Sequence, residues 1–250
     1  MTRFLMRHHR PTRSTNNGAI SPAGYGFVNM HLAIIMNGNG EWANRRGLAP
    51  TASHAAGVSA LRNTVAVAVE TGIKTLTLYA ICTPGYGRPS DEINADLSVV
   101  RSYVRADAHT RLKQSVCLSV IGSAEWRSQI LRGAVDNSEH SSSATSRMQL
   151  RVVVDYSAHD DVVRTEWLST HPDPLESFSR QISEIDPTAL RAGAVDLLVR
   201  TGGGRCYSEF MLWEVAYARL HYVDCLWPDF TARDLQGALV RYACCDDCVM

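Results

Sequence analysis

The sequence has no hydrophobic run approaching the roughly 18 residues that a membrane-spanning helix needs, so we predict no transmembrane segment. It also has no excess of charge of either sign, because 25 Lys and Arg residues balance 25 Asp and Glu residues. This balance gives no overall attraction to nucleic acid. Lysine is nearly absent. Lys74 and Lys113 are the only two, and arginine, which suits bidentate contacts to phosphate, supplies the other basic side chains.

We also predict no secretory leader, because residues 1–17 are rich in arginine and contain no apolar stretch of about 7–15 residues. The seven cysteines are an odd number in a chain of 250 residues, which favours reduced thiols over a disulfide framework. We therefore predict a cytoplasmic protein. Residues 1–28 are predicted to form a mobile basic arm, residues 29–243 one domain, and residues 244–250 a Cys- and Asp-rich tail.

From residue 31 onward, short apolar runs alternate with segments of helical periodicity, as expected for a sheet flanked by helices. The runs are nearly continuous and rich in Val, Ile and Leu, which is typical of strands buried on both faces of a parallel sheet. Strands are predicted over 31–36, 74–81, 116–121, 150–156 and 195–200. Helices are predicted over 54–71, which Gly72 would end, and over 91–113 and 160–168. The sequence thus predicts a single α/β domain with a central, mostly parallel sheet.

Two loops follow predicted strands, at the edge where open parallel sheets bind ligands. The first is Asn37-Gly38-Asn39-Gly40-Glu41-Trp42, which could offer backbone N–H groups to an anion or form a plain turn into a helix. The second is Arg200-Thr201-Gly202-Gly203-Gly204-Arg205, with the hydroxyls of Thr201 and Ser208 close by. Arginine contacts phosphate oxygens in pairs and glycine lets the backbone approach. We predict that this second loop binds phosphate; the alternative is a flexible glycine linker.

These loops, together with other stretches in the same order, resemble the cis-prenyltransferase family, typified by undecaprenyl diphosphate synthase. The matching stretches are HLAIIMNGNGEWANRRG at 31–47, HAAG at 54–57, GIKTLTLYA at 72–80 with Arg88-Pro89, DLLVRTGGG at 196–204, SEFMLWEVAYA at 208–218 and LWPDF at 226–230. The resemblance implies a homodimeric α/β fold with an apolar tunnel. It also implies the condensation of isopentenyl diphosphate onto an allylic diphosphate with Mg²⁺.

The resemblance further implies a set of site residues that this chain keeps. Arg200 would bind the diphosphate of isopentenyl diphosphate, and Ser208 would add a hydroxyl to that site. His54 matches a histidine that helps the diphosphate to leave and is predicted, with Asn37, to be catalytic. The remaining predicted binding residues are Gly38, Asn39, Gly40, Glu41, Trp42, Arg88, Arg205 and Arg219.

This chain departs from the family pattern at positions that bind the metal ion or the diphosphates. Asn37 replaces a metal-binding aspartate and Arg219 replaces a glutamate, whereas Mg²⁺ prefers anionic oxygen ligands. Glu41 and Cys206 each replace an arginine, and residues 83–86 lack the glutamate and asparagine of a family loop. We therefore predict no cofactor, with Mg²⁺ held only through the substrate's diphosphate if at all. Arg219 is predicted to take the metal's place, where it could pair with Glu41 across a dimer.

Two functions are compatible with this sequence. The first is a divergent enzyme that transfers a prenyl group to an unusual acceptor, or ionises and cyclises a prenyl diphosphate, without the usual metal site. The second is a catalytically silent subunit that pairs with an active homologue or binds lipid diphosphate. Arg200, Ser208 and His54 favour the enzyme, and the lost carboxylates favour the silent subunit. The predicted partners are a prenyl diphosphate and a second copy of the chain or an active homologue, with peripheral membrane contact allowed.

Overall fold

The computed structural model describes residues 12–13, 25–82, 90–122, 130, 146–156, 192–205 and 210–244. A short antiparallel pair consists of β1 (Thr12–Arg13) and β2 (Tyr25–Gly26). The central sheet contains β3 (His31–Ile35), β4 (Thr75–Cys82), β5 (Val116–Ile121), β6 (Met148–Tyr156), β7 (Leu197–Arg200) and β8 (Arg219–Tyr222). The helices are α1 (Asn39–Arg45), α2 (Ser53–Glu70), α3 (Ser90–Ala106), α4 (Ala108–Lys113) and α5 (Ala232–Cys244).

All six strands of the central sheet run parallel, in the order β5-β6-β4-β3-β7-β8. The prediction of a single α/β domain with a mostly parallel sheet is confirmed. The chain leaves β3 towards β4 on one side and later reaches β7 on the other side. The strand order therefore changes direction between β3 and β7, and such a switch point opens a crevice at the carboxyl ends of the strands.

Apolar side chains cover both faces of the sheet, as continuous apolar strands require. On one face, Leu32 and Ile34 of β3 belong to a core that includes buried residues of α2, α3 and α5. On the other face, Ala33 and Ile35 pack in a second core with Phe210, whose ring stacks on Tyr79 at 4.5 Å between centroids. The sheet is thus buried on both sides, and β3 lies at its centre.

Several predicted boundaries are corrected by the structure. The helix predicted over 91–113 is two helices, because Asp107 (φ −104°, ψ 9°) leaves the helical conformation between α3 and α4. The strand predicted over 195–200 begins only at Leu197, since the Val195 N–H donates to the carbonyl oxygen of Glu214 in an irregular segment. The helix predicted over 160–168 lies outside the described residues.

The sequence does not predict β8 or α5. The burial of β8 is only partial, so its Arg-Leu-His-Tyr sequence lacks the continuous apolar signal of the other strands. Its pairing with β7 nevertheless completes the parallel sheet.

Most of the predicted arm and tail lies outside the described residues, and their boundaries stay predictions. Phe27, at the end of the predicted arm, is 2% exposed and belongs to the first core. Within the described ranges, no helix is both long and apolar enough to cross a membrane.

Candidate functional site

The two predicted loops meet at the carboxyl edge of the sheet. Because β3 and β7 are paired neighbours, Asn37 after β3 lies beside Thr201 after β7. The Thr201 hydroxyl donates to the carbonyl oxygen of Asn37 at 2.8 Å, across a sequence separation of 164 residues. A Cβ placed on Gly202 would lie 3.1 Å from the Cβ of Asn37, so the two loops are in close contact. The structure thus brings both loops to the switch point of the sheet.

Gly38 fits the first loop against the segment that precedes α5. Its φ of +111° is one that side chains disfavour, and a Cβ there would lie 2.8 Å from Cδ2 of Leu226. The N–H of Trp227 donates to the carbonyl oxygen of Asn37 at 2.9 Å. The LWPDF stretch at 226–230 therefore packs against the first loop and hydrogen-bonds to it. The sequence alone does not predict this contact.

The glycines of the second loop shape a turn from β7 towards β8. The N–H of Gly202 donates to the carbonyl oxygen of Cys225 at 2.8 Å, and the N–H of Gly203 donates to that of Val223 at 3.2 Å. The Thr201 side chain is fully buried and its proton is directed to carbonyl oxygens. These donors are therefore used in hydrogen bonds that hold the loop in place. The Thr201 hydroxyl, which the sequence places near a predicted phosphate site, is not available to phosphate.

Arg200 is the last residue of β7 and is half-buried at the carboxyl edge. A Cβ on Gly204 would lie 3.2 Å from Nη2 of Arg200, so glycine at that position leaves room for the guanidinium. Arg205, at the end of the loop, is exposed. The loop is thus shaped around one arginine side chain at the place where its strand ends.

Side chains of α1, and of Arg46 directly after it, form ion pairs and hydrogen bonds with one another and with a 3-10 helix at Trp227–Asp229. Glu41 pairs with Arg45 one turn along, at 2.5 Å, and both side chains are at least half exposed. The Trp42 Nε1–H donates to Asp229 Oδ1 at 2.7 Å, while the Arg46 guanidinium lies 4.1 Å from the Trp42 ring centroid and 3.2 Å from Asp229 Oδ2. Glu41 is therefore paired with a cation of its own helix.

Asn39 points into the protein rather than out of the loop. It is 6% exposed, and its Nδ2 donates to Asp96 Oδ1 of α3 at 2.8 Å. On its other side, a Cβ on Gly57 would lie 3.3 Å from Asn39 Oδ1. His54 is one turn before Gly57 on α2 and is half-buried. Asp96 is a residue of this site that sequence reasoning missed, although a lone carboxylate on an apolar helical stripe is a readable signal.

Arg219 lies at the opposite edge of the sheet within one chain. In the parallel register of β7 and β8, Arg219 pairs with Leu197 and Tyr222 with Arg200, so Arg219 is about 10 Å from the carboxyl edge. Its guanidinium donates to the carbonyl oxygen of Tyr242 at 2.6 Å and lies 5.0 Å from the centroid of that ring. Burial, together with the negative charge of Asp196, raises the pKa of Tyr242 to about 12. A single chain does not bring Arg219 together with Asn37.

The residues present do not fit a Mg²⁺ site of the kind that the family resemblance implies. Position 37 carries an amide, and Arg219 lies at the far edge of the sheet. In the part of the chain that the structure describes, no group of three or more His, Cys, Asp or Glu side chains could hold a metal ion. Arg88, Cys206, Ser208 and residues 83–86 lie outside the described residues.

Comparison with known proteins places these features in context. Residues 35–247 match the prenyltransferase family model described as "Putative undecaprenyl diphosphate synthase". The chain is 37% identical over 214 residues to isoprenyl transferase 1 of Bradyrhizobium diazoefficiens, covering 85% of this chain and 86% of that protein. It is 31% identical over 220 residues to the (2E,6E)-farnesyl-diphosphate-specific ditrans,polycis-undecaprenyl-diphosphate synthase of Escherichia coli K12, again with 85% and 86% covered.

Among solved structures, the chain resembles lavandulyl diphosphate synthase from Lavandula x intermedia, crystallised with dimethylallyl diphosphate. The TM-score is 0.72 at 26% identity, and the match covers 86% of this chain and 94% of that one. The likeness therefore extends over nearly the whole of both chains.

Proposed function

This chain belongs to the undecaprenyl diphosphate synthase family of prenyltransferases, and on that premise we propose that it is an enzyme that binds and processes prenyl diphosphates. The observation that carries the proposal is the meeting of the Asn37 and Arg200 loops at the switch point of the sheet. An arginine at a strand end, with glycine beside its guanidinium, suits the bidentate recognition of phosphate.

In the proposed reaction, the bond between the allylic carbon and the diphosphate oxygen breaks, and both electrons leave with the diphosphate. The guanidinium of Arg200 binds the diphosphate of the acceptor, which stays attached through the reaction, and so positions the reacting double bond. His54 donates a proton to the departing diphosphate. The allylic cation is captured by a double bond of the acceptor, or of the same chain in a cyclisation, and the product then loses a proton.

The proposed reaction is divergent because it proceeds without a protein-held metal. Asn37 is an amide at the family's aspartate position, so no step is assigned to Mg²⁺. The structurally similar lavandulyl diphosphate synthase was crystallised with dimethylallyl diphosphate, which makes short allylic diphosphates the first substrates to test. The acceptor is proposed to differ from that of ordinary chain elongation.

We also propose that the chain works as a dimer, with itself or with an active homologue. In the described sheet β8 is an edge strand. The backbone N–H and C=O groups along an uncovered edge strand can pair with another chain. Leu220 on β8 is 46% exposed and Tyr217, just before it, is 55% exposed. These side chains form a candidate interface beside the second core.

The proposal is tested by incubating the purified protein with dimethylallyl diphosphate and isopentenyl diphosphate, with and without EDTA. We expect release of inorganic diphosphate and a prenyl product, both insensitive to the chelator. Binding of dimethylallyl diphosphate without any turnover would favour the silent subunit instead. Activity that EDTA abolishes and added Mg²⁺ restores would refute the metal-independent mechanism.

A further inference from the structure

A buried carboxylate lies directly behind the loop that follows β3. Asp96 of α3 is 5% exposed and shares a helical stripe with Val99, Val100 and Tyr103, which are each 2% exposed or less. These residues follow at three, four and seven positions, the spacing of one helix face. A carboxylate on such a face costs desolvation free energy that an apolar side chain would not. Packing therefore does not explain why position 96 is Asp.

The hydrogen bond that Asp96 accepts defines the orientation of the Asn39 amide. Asn39 Nδ2 donates to Asp96 Oδ1 at 2.8 Å, and both side chains are buried. Asn39 Oδ1 lies against α2 at Gly57 and accepts no hydrogen bond from the described residues. Without Asp96 the amide would lose its hydrogen-bond acceptor, and the buried Nδ2 group would be unsatisfied.

Gly57 makes this arrangement sterically feasible. A Cβ at that position would lie 3.3 Å from Asn39 Oδ1 and 3.2 Å from Cγ2 of Val99, tighter than ordinary van der Waals contact. Asn39 is therefore confined between α2 and α3, with one contact from each helix. His54 is one turn before Gly57 on α2. The helix that contacts Asn39 therefore also carries the predicted catalytic histidine.

We infer that Asp96 is a positioning residue of the proposed site, which holds Asn39 and hence the loop at 37–40 against α2 and α3. The inference rests on the proposed function, because it assigns Asp96 to the binding of the prenyl diphosphate through that loop. Asp96 itself acts through Asn39, to which its Oδ1 contributes a hydrogen-bond acceptor.

Two substitutions separate this role from a merely structural one. Asp96→Asn keeps an oxygen that can accept from Asn39, and its affinity for dimethylallyl diphosphate should stay within about threefold of wild type. Asp96→Leu removes the acceptor and should weaken binding by about tenfold or more, since small misplacements in a site carry large penalties. Its Tm should fall only slightly, because leucine suits the apolar stripe and offsets part of the cost of the unsatisfied Asn39 Nδ2 group. Asp96→Ala replaces it if the leucine variant does not fold.

Asp107 provides a matched control. Its carboxylate accepts one bifurcated hydrogen bond from Arg62 Nε–H, with its two oxygens at 2.9 and 2.8 Å, and so also joins α2 to the chain beside α3. It lies 11 residues after Asp96, about 16 Å along the helix direction and away from the loop. Asp107→Leu should lower the Tm and leave the affinity for dimethylallyl diphosphate unchanged.

The outcomes distinguish this inference from the function on which it rests. Calorimetry on the full-length chain should show tight binding by wild type and by Asp96→Asn, and weak binding by Asp96→Leu. If Arg200→Ala loses affinity for isopentenyl diphosphate but Asp96→Leu keeps its affinity for dimethylallyl diphosphate, the positioning role is overturned and the proposed function stands. An equal loss in Asp96→Asn and Asp96→Leu also overturns it, because charge would then matter. If wild-type protein binds no dimethylallyl diphosphate, both proposals fall.

Discussion

In the proposed function, Arg200 is the residue on which recognition of the acceptor's diphosphate depends most directly. It ends β7, and the loop leaves space around its guanidinium at Gly204. A lost charge-assisted contact costs about 1.5–3 kcal/mol, so Arg200→Ala should weaken prenyl diphosphate binding roughly 10- to 100-fold. Calorimetric titration with isopentenyl diphosphate measures this. Arg233→Ala, at an exposed position of α5, is the control, and equal affinities for the two variants would remove Arg200 from the site.

His31 shows how a residue of the matching family stretch serves stability instead of chemistry. Its ring is 1% exposed, with Nδ1 at 3.0 Å from the carbonyl oxygen of Gly193 and Nε2 at 2.7 Å from the hydroxyl of Thr77. Arg151 donates to the same hydroxyl at 3.1 Å. Neutral imidazole satisfies these partners, with Nδ1–H donating to Gly193 and Nε2 accepting from Thr77. Burial first, and the charge of Arg151 second, lower the pKa of His31 from 6.5 to about 3.

This shift predicts a pH dependence of stability. Between pH 6.5 and 3 the unfolded chain binds a proton at His31 that the folded chain does not, so acid favours unfolding. The free energy of unfolding should fall by up to about 1.4 kcal/mol per pH unit from this group as the pH drops below 6.5. His31→Gln should show a shallower decline in urea titrations at a series of pH values. The exposed His109→Gln is the control. Parallel curves for wild type and His31→Gln would contradict the assignment.

At the scale of elements, the first loop depends on a glycine in contact with a neighbouring segment. Gly38 combines a φ of +111° with Leu226 atoms 2.8 and 2.9 Å from where a Cβ would lie. Gly47 has a comparable positive φ of +63° but no atom within 4 Å of that point. Both substitutions by alanine strain the backbone, and only Gly38→Ala adds a steric overlap.

Gly38→Ala should therefore destabilise the protein by about 1–3 kcal/mol more than Gly47→Ala, the typical penalty of overpacking. Urea unfolding of the two variants beside wild type gives the difference. A smaller loss in Gly38→Ala than in Gly47→Ala would mean that the 226–230 segment does not press on the loop. Because Gly38 also lies in the predicted diphosphate loop, its variant should bind dimethylallyl diphosphate more weakly as well.

At the scale of the whole molecule, the edge of the sheet at β8 is the surface that a second chain would cover. Leu220 and Tyr217 are exposed there, and Leu212 nearby is 40% exposed. We expect wild-type protein to be a dimer by light scattering at micromolar concentration. Leu220→Lys should yield monomers, since a buried lysine at an interface is costly.

Leu112→Lys is the control for this prediction, because Leu112 is 52% exposed on α4 and distant in sequence from the β8 edge. That variant should remain dimeric. A wild-type chain that is monomeric alone but pairs with an active homologue would favour the heterodimer. A monomer with no partner in its source would refute the dimer altogether.

The central strands and the two loops at their carboxyl edge could be predicted from the pattern of residues alone. Continuous apolar runs identify β3 to β7, because a strand that is buried on both faces carries apolar side chains at successive positions. The loops at Asn37 and Arg200 follow from the same pattern, since a loop after a parallel strand must open at the carboxyl edge. Family resemblance then connects these loops with prenyl diphosphates, and the family match confirms that membership.

Which groups in those loops remain available to a ligand depends instead on contacts between distant parts of the fold. The Thr201 hydroxyl and the Gly202 N–H are consumed by carbonyl oxygens of Asn37 and Cys225, partners far away in sequence. The pairing of Asn39 with Asp96 and the place of Arg219 at the amino edge are likewise results of packing and register. Local sequence encodes periodicity and turn chemistry, whereas a hydrogen bond between distant segments depends on how their elements are arranged in space. That is why the position of the two loops could be predicted from the sequence and the hydrogen bonds within them could not.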